Sequence, residues 1–206
     1  MTLSTIFMFL GASIALTVAP GPDNVFVVTQ GVSRGRKAAI VTAWGMCSGL
    51  TVHTVAAAAG ISAVFYSSAL AFQAVKFAGA AYLLYLAWQA LSEHGPLRLS
   101  EAGAGSWVAL FRRGFIMNVL NPKVALFFLA FLPQFTSREA GSIPVQMLLL
   151  GAIFMVQALV IFTAIGFCSG SLGNWILKRP QAGRCFSWLA AAIFASLGVR
   201  LAFVQR

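Results

Sequence analysis

The sequence predicts an all-α membrane fold of about six transmembrane helices, arranged as a 3+3 inverted repeat with broken helices one and four. Three observations predict it. Of 206 residues, 60% are hydrophobic and 9% charged, whereas about a quarter of a soluble domain is charged. Apolar runs follow one another almost without interruption, with Lys and Arg clustered between them. Prolines interrupt two of these runs near their middles. At about 20 residues per span, the chain has room for roughly six spans and short loops, and for no separate soluble domain.

The first run, residues 2–33, is too long for one straight span. Pro20-Gly21-Pro22-Asp23-Asn24 divides it into two half-helices. No Lys or Arg precedes it and Pro20 stands where a signal peptide would be cleaved, so it reads as a retained first span. A loop carrying Arg34, Arg36 and Lys37 follows. The second span covers residues 38–66, and Gly45 and Gly49 on one face admit a close neighbour. Ser67 and Ser68 mark a turn, and the third span covers residues 70–91. Residues 93–113 read as the one long loop, rich in Gly and Pro. The fourth span, residues 114–135, is interrupted by Asn121-Pro122-Lys123. After a short loop with Arg138 and Glu139 comes the fifth span, residues 143–168. A loop with Lys178, Arg179, Pro180 and Arg184 leads to the sixth, residues 185–204. The whole is one transmembrane domain, with repeats at residues 1–92 and 107–206.

Basic residues give the orientation. The loops after spans one, three and five hold Arg34, Arg36 and Lys37, then Arg98, Arg112 and Arg113, then Lys178, Arg179 and Arg184. The opposite side holds Arg138 and Arg206. The positive-inside rule places both termini outside. Within the spans, Lys76 and Arg200 lie near the ends and are expected to snorkel to the interface.

Composition also excludes function classes. The net charge of +10 is spread over loops, without the basic stripe and interleaved aromatics of a nucleic-acid binder. Cys47, Cys168 and Cys185 form no CxxC and make an odd set, which argues against a metal site or disulfide framework and for small buried residues. No cofactor is implied. An intramembrane hydrolase lacks an HExxH or GxSxG motif and a second buried carboxylate beside Asp23, so no enzyme is expected. A redox carrier would need cysteines at the breaks, where Gly21 and Asn121 stand.

The two breaks carry the chemistry. Paired interruptions in corresponding positions of two halves are the best sequence pointer to a transporter binding site. Proline is tolerated at the first position of a helix, so Asn121-Pro122 restarts one with Asn121 as cap, and Gly21-Pro22 restarts another with Gly21 supplying backbone freedom. Pro20, Gly21, Pro22 and Pro122 are thus the hinge residues. Asp23 in the first turn of its half-helix is favoured by the dipole, whereas Lys123 in the first turn of the other is opposed. Burying Lys at mid-depth costs about 2.5–3.5 kcal/mol on insertion scales. Asp23, the acidic residue expected inside a span, is its natural partner. Asp23, Asn24, Asn121 and Lys123 are the candidate substrate-binding or coupling residues. Either Asp23 and Lys123 form a structural ion pair, or Lys123 and the restarted N–H groups meet a zwitterion's carboxylate and Asp23 its ammonium. His53, Tyr82 and Gln157 are further candidates for a cavity or proton relay, with interhelical packing as their plainer role.

These residues resemble the lysine exporter/homoserine–threonine exporter (LysE/RhtB) family. The likeness lies in Pro20-Gly21-Pro22-Asp23-Asn24, Gly31 and Gly35 before the first basic loop, Lys76-xx-Gly79-xx-Tyr82-Leu83 and Asn121-Pro122-Lys123, and it covers nearly the whole chain. It implies export of amino acids or related small metabolites across the bacterial inner membrane, driven by proton antiport. The implied partners are a small-molecule substrate and the lipid bilayer; the GxxxG-like faces permit a homodimer. The competing function is a membrane channel or a non-transporting membrane scaffold.

Overall fold

Every regular element among the described residues is helical. The computed structural model describes residues 1–19, 21–67, 69–92, 106–178 and 180–203. The elements are α1 (Leu3–Val18), α2 (Pro22–Arg34), α3 (Arg36–Ser67), α4 (Ala69–Ser92), α5 (Trp107–Val119), α6 (Pro122–Leu126), α7 (Ile143–Lys178) and α8 (Pro180–Phe203). The expectations for Pro20 as a hinge, Ser68 as a turn, the loop 93–105 with Arg98, and Arg179, Val204 and Arg206 lie outside the described residues.

Both restarts form as local sequence dictates. Gly21 precedes Pro22 at the head of α2, and Asn121 precedes Pro122 at the head of α6. The half-helices on either side of each break are bent by 55° in the first pair and 47° in the second. The second does not continue as a simple α-helix. Phe127–Phe131 form a π-helical turn, closed by the Leu132 N–H on Phe127 O, and Leu132–Phe135 tighten to a 3₁₀ turn. Pro133 explains the change, because it has no N–H for Leu129 O and its ring would strike that carbonyl. The Gln134 amide bonds Ala130 O at 2.9 Å within the same segment.

Several expected loops are helix. Arg34 ends α2 and Arg36 and Lys37 open α3, with Gly35 (φ 86°) as the whole joint. Arg112 and Arg113 lie on α5, because Ser106 Oγ accepts the Ala109 N–H and starts that helix before residue 114. Lys178 is in α7, and Pro180 opens α8 in the first position that proline tolerates. Arg138–Ala140 form an exposed 3₁₀ turn.

The apolar surface identifies the solvent. Arg36–Gly60 and Ile143–Ser169 are each long and apolar enough to cross a membrane, and the two bent pairs raise the number to four among the described residues. Val156 and Val160 of α7 are both 65% exposed, beside Leu148, Leu149 and Phe167, a face that water would not tolerate and lipid does. The chain is a multi-pass membrane protein. Its interior is aromatic. Phe9, Phe127, Phe128 and Phe131 are fully buried, and Phe154 closes on Phe127 and Phe128 with ring centroids 5.4 and 5.2 Å apart. Lys76 is buried rather than snorkelling. Arg200 does remain exposed, with its guanidinium over Phe135 and its Nη2 3.8 Å from Met8 Sδ. Of the cysteines, Cys47 is buried, while Cys168 and Cys185 are exposed, contrary to the expectation of buried residues.

Glycine sets the separation of α3 and α5. A Cβ on Gly45 would lie 2.1 Å from Phe111 O, and one on Gly114 would lie 2.3 Å from Thr42 O. The two backbones touch from both sides, so neither position accepts a side chain without parting the helices. Gly45→Val and Gly114→Val are therefore expected to lower stability in detergent by at least about 1–3 kcal/mol, the usual cost of overpacking. Gly60→Ala, where an added Cβ meets nothing within 4 Å, should leave the melting temperature unchanged or raise it. Equal melting of all three variants would contradict the close-approach account.

Candidate transport site at the paired helix breaks

A break inside an apolar bundle frees backbone groups that lipid cannot satisfy. At the first break these are the last carbonyls of α1. The Asn24 side chain turns back onto them, its amide N–H groups shared among Thr17 O (3.2 Å), Val18 O (3.2 Å) and Ala19 O (2.9 Å). The second donor comes from the other half of the chain. Lys123 Nζ bonds Ala19 O at 3.1 Å and sits 5.2 Å from the Phe194 ring centroid. Lys123 is thus misplaced at the N-terminus of α6 but well placed at the C-terminus of α1, where the dipole favours a cation.

The second break reciprocates. Asn121 Oδ1 accepts the Lys123 N–H at 2.9 Å and caps α6. That bond fixes the orientation of its amide, whose Nδ2 donates to Asp23 Oδ2 at 2.6 Å. Asp23 is 5% exposed and Lys123 7%. Both face one cavity, yet they form no direct ion pair: Asn121 takes the carboxylate and Ala19 takes the ammonium. Each break supplies the group that the other lacks.

Gly21 does not play the part that the sequence suggests. Its φ of −170° is ordinary extended backbone, open to any residue. A Cβ there would lie 3.4 Å from Lys123 Nζ, an ordinary van der Waals contact, so neither backbone freedom nor close approach requires glycine at this position.

The cavity between the breaks is lined by Leu16 and Thr17 of α1, Asp23 of α2, Met46, Cys47 and Leu50 of α3, Asn118 of α5, Lys123 and Val124 of α6, and Phe154 and Phe162 of α7. Its volume of ≈ 20 Å³ holds roughly one water, far less than the few hundred Å³ of a formed ligand pocket.

The remaining candidates divide. His53 is buried, and its Nε2 lies 3.0 Å from Asn118 O; a carbonyl only accepts, so that nitrogen carries the proton. Gln157 Nε2 donates to Thr17 Oγ1 at 3.0 Å and ties α7 to α1. Tyr82 is half-buried on α4 with its ring beside Tyr85, and it is not among the residues lining the cavity. Sequence reasoning missed Asn118 and Thr17. Asn118 stands one helical turn before Asn121, and a second amide at that spacing in an apolar run was the available signal.

The breaks thus bring a carboxylate, an ammonium and amides together between broken membrane helices, the kind of place where intramembrane charges can meet a polar solute or ion. The model of a family described as LysE type translocator matches residues 14–205. The homoserine/homoserine lactone efflux protein of Salmonella typhimurium is 30% identical over 203 residues, covering 98% of each chain. Its counterpart in Salmonella typhi is similar to the same degree. An uncharacterized membrane protein of Vibrio cholerae is 32% identical over 198 residues, or 94% of each chain. No solved structure matches. The chain belongs to the LysE type translocator family, and it is a membrane exporter of small molecules rather than an enzyme.

Asn24 is the largest single contributor of donors to the first break. Asn24→Ala leaves Thr17 O and Val18 O without this donor and is expected to cost about 1–3 kcal/mol. Reversible unfolding in detergent measures it, and a loss below about 0.5 kcal/mol would mean that the cap is dispensable.

Proposed function

We propose that this protein is a secondary exporter that carries amino acids or related small metabolites out across the bacterial inner membrane in exchange for protons. The observation that carries the reading is the meeting of the two breaks around Asp23, Asn121 and Lys123 at a small cavity. A site with buried charges between two half-helix pairs suits alternating access, in which the site is exposed to one side at a time. A channel would need a continuous wet path, and the cavity holds roughly one water. Asp23 is the carboxylate at the site that can carry a proton one way and release it when substrate binds.

Two of the relatives are named for homoserine and homoserine lactone efflux. Those two compounds share a primary amine, and the lactone has no free carboxylate. The substrate class proposed for this chain is accordingly small amino acids and their neutral derivatives.

The same reading includes six spans in two inverted halves, with α4 and α8 as the third and sixth. Its support is the pattern of packing: α5, before the second break, lies on α3, and α1 and α2, around the first break, lie on α7. Each broken span thus packs on the second helix of the opposite half, while α3 meets α7 and α4 meets α8. Both termini are proposed to lie outside. A topology reporter on the C-terminus should read periplasmic, and a cytoplasmic reading would reject this arrangement.

Efflux tests the function. Vesicles loaded with a panel of amino acids and homoserine lactone should lose at least one compound faster with the protein than without it, and faster still under an imposed proton gradient. Asp23→Asn should slow that loss by roughly tenfold or more, the worth of one charge-assisted hydrogen bond. If no compound on the panel leaves faster with the wild-type protein, the exporter reading fails.

A further inference from the structure

Six buried side-chain oxygens among the described residues have no hydrogen-bond partner in the protein, and four of them lie on α2: Asp23 Oδ1, Asn24 Oδ1, Thr29 Oγ1 and Gln30 Oε1. The first two belong to the break. Thr29 and Gln30 stand beyond it, yet they are only 2% and 1% exposed. Gln30 follows Asp23 by seven residues, which is two turns on the same face and roughly 10 Å along the axis. Asp23, Val27, Gln30 and Arg34 fall at i, i+4, i+7 and i+11, one stripe of the helix. Arg34 ends α2, and Gly35, Arg36 and Lys37 follow. The stripe thus runs from the carboxylate at the breaks to the basic end of the bundle.

Packing alone gives no reason for these polar groups. A buried oxygen without a donor costs stability, and Leu or Val would fill the same space without that cost. The helices against α2 are α3 and α7, and they meet it through small residues. A Cβ on Gly31, next to Gln30, would lie 1.7 Å from Ser169 Oγ and 3.3 Å from Ala39 Cβ. The Ser169 hydroxyl is itself engaged, donating to Gly166 O at 2.7 Å. Polar side chains inside a membrane bundle mark solute pathways when packing does not explain them. An amide and a hydroxyl both donate and accept, so they can replace water around a zwitterion without holding it as a charge would. We propose that the Asp23–Gln30–Arg34 stripe of α2 lines the route by which the substrate enters the site from the basic end, when α2 parts from α3 and α7. This rests on the exporter reading and deepens it: Gln30 becomes a pathway residue, and α2 the helix that faces the passing solute on the side proposed to be cytoplasmic.

Cysteine accessibility tests the route without requiring transport. The background is a chain whose three cysteines are replaced by alanine. A thiol reacts as its thiolate, which needs water, so Gln30→Cys in inside-out vesicles should react with the impermeant 2-(trimethylammonium)ethyl methanethiosulfonate about tenfold faster, or more, than Val156→Cys on the lipid-facing side of α7. A rate no faster than that of Val156→Cys overturns the route, and so does reaction from the periplasmic side alone. A second variant decides the matter if Gln30→Cys does not fold. Gln30→Leu removes the unmet oxygen, so it should keep or raise the melting temperature while slowing export by about tenfold, the worth of one hydrogen bond to the passing solute. Wild-type export rates in Gln30→Leu, or a lowered melting temperature with export unchanged, would make Gln30 a packing residue and overturn the proposal. A wild-type protein that exports nothing while Gln30→Cys still reacts from the cytoplasmic side would sink the exporter reading and leave the polar route standing.

Discussion

The structure depends on an exchange of partners between two broken helices. Breaking a helix within lipid exposes carbonyls at one end and N–H groups at the other, and neither end finds water. Here Ala19 O at the first break receives the Lys123 ammonium from the second. Asn121 at the second break gives its amide to Asp23 at the first. Two elements that would each be unstable alone satisfy one another. The charges are thereby kept apart while both remain buried, which differs from a neutralised pair. A direct Asp–Lys bridge would have closed the site on itself; the interposed Asn121 leaves one carboxylate oxygen open.

The rest of the fold serves this meeting. Gly45 and Gly114 let α3 and α5 touch, which brings His53 onto Asn118 O and seats Asn118 at the cavity. Behind the second break, the π-helical turn and the fully buried Phe127, Phe128 and Phe131 form a dense aromatic wall. π-turns recur at functional sites because they shift helix register with little rearrangement. In this fold one lies directly after the capped restart.

Much of this was legible in the sequence, and the limits have physical causes. Composition and run length identify lipid as the solvent, and proline at a helix start predicts both restarts, down to Asn121 as the cap. The partner of Lys123 was not legible, because a backbone carbonyl leaves no trace in residue identity; pairing by charge pointed to Asp23 instead. Gly21 was misread for a related reason. Glycine before proline suggests conformational freedom, and only the folded backbone, with φ of −170°, shows that none is needed. Asn118 was passed over as one polar residue in an apolar helix. The basic loops shrank to helix ends because Arg and Lys are good helix formers, and a cap such as Ser106 begins a helix before its apolar stretch begins.

The account stands on coupling between the two breaks, and a double-mutant cycle measures it directly. Asp23→Ala, Asn121→Ala and the double variant would be compared by reversible unfolding in detergent. A shared buried hydrogen bond predicts that the double variant loses less stability than the sum of the singles, by about 1 kcal/mol or more. Losses that add to within about 0.5 kcal/mol would mean that the breaks are stabilised separately, and the exchange of partners would not be what holds the site together.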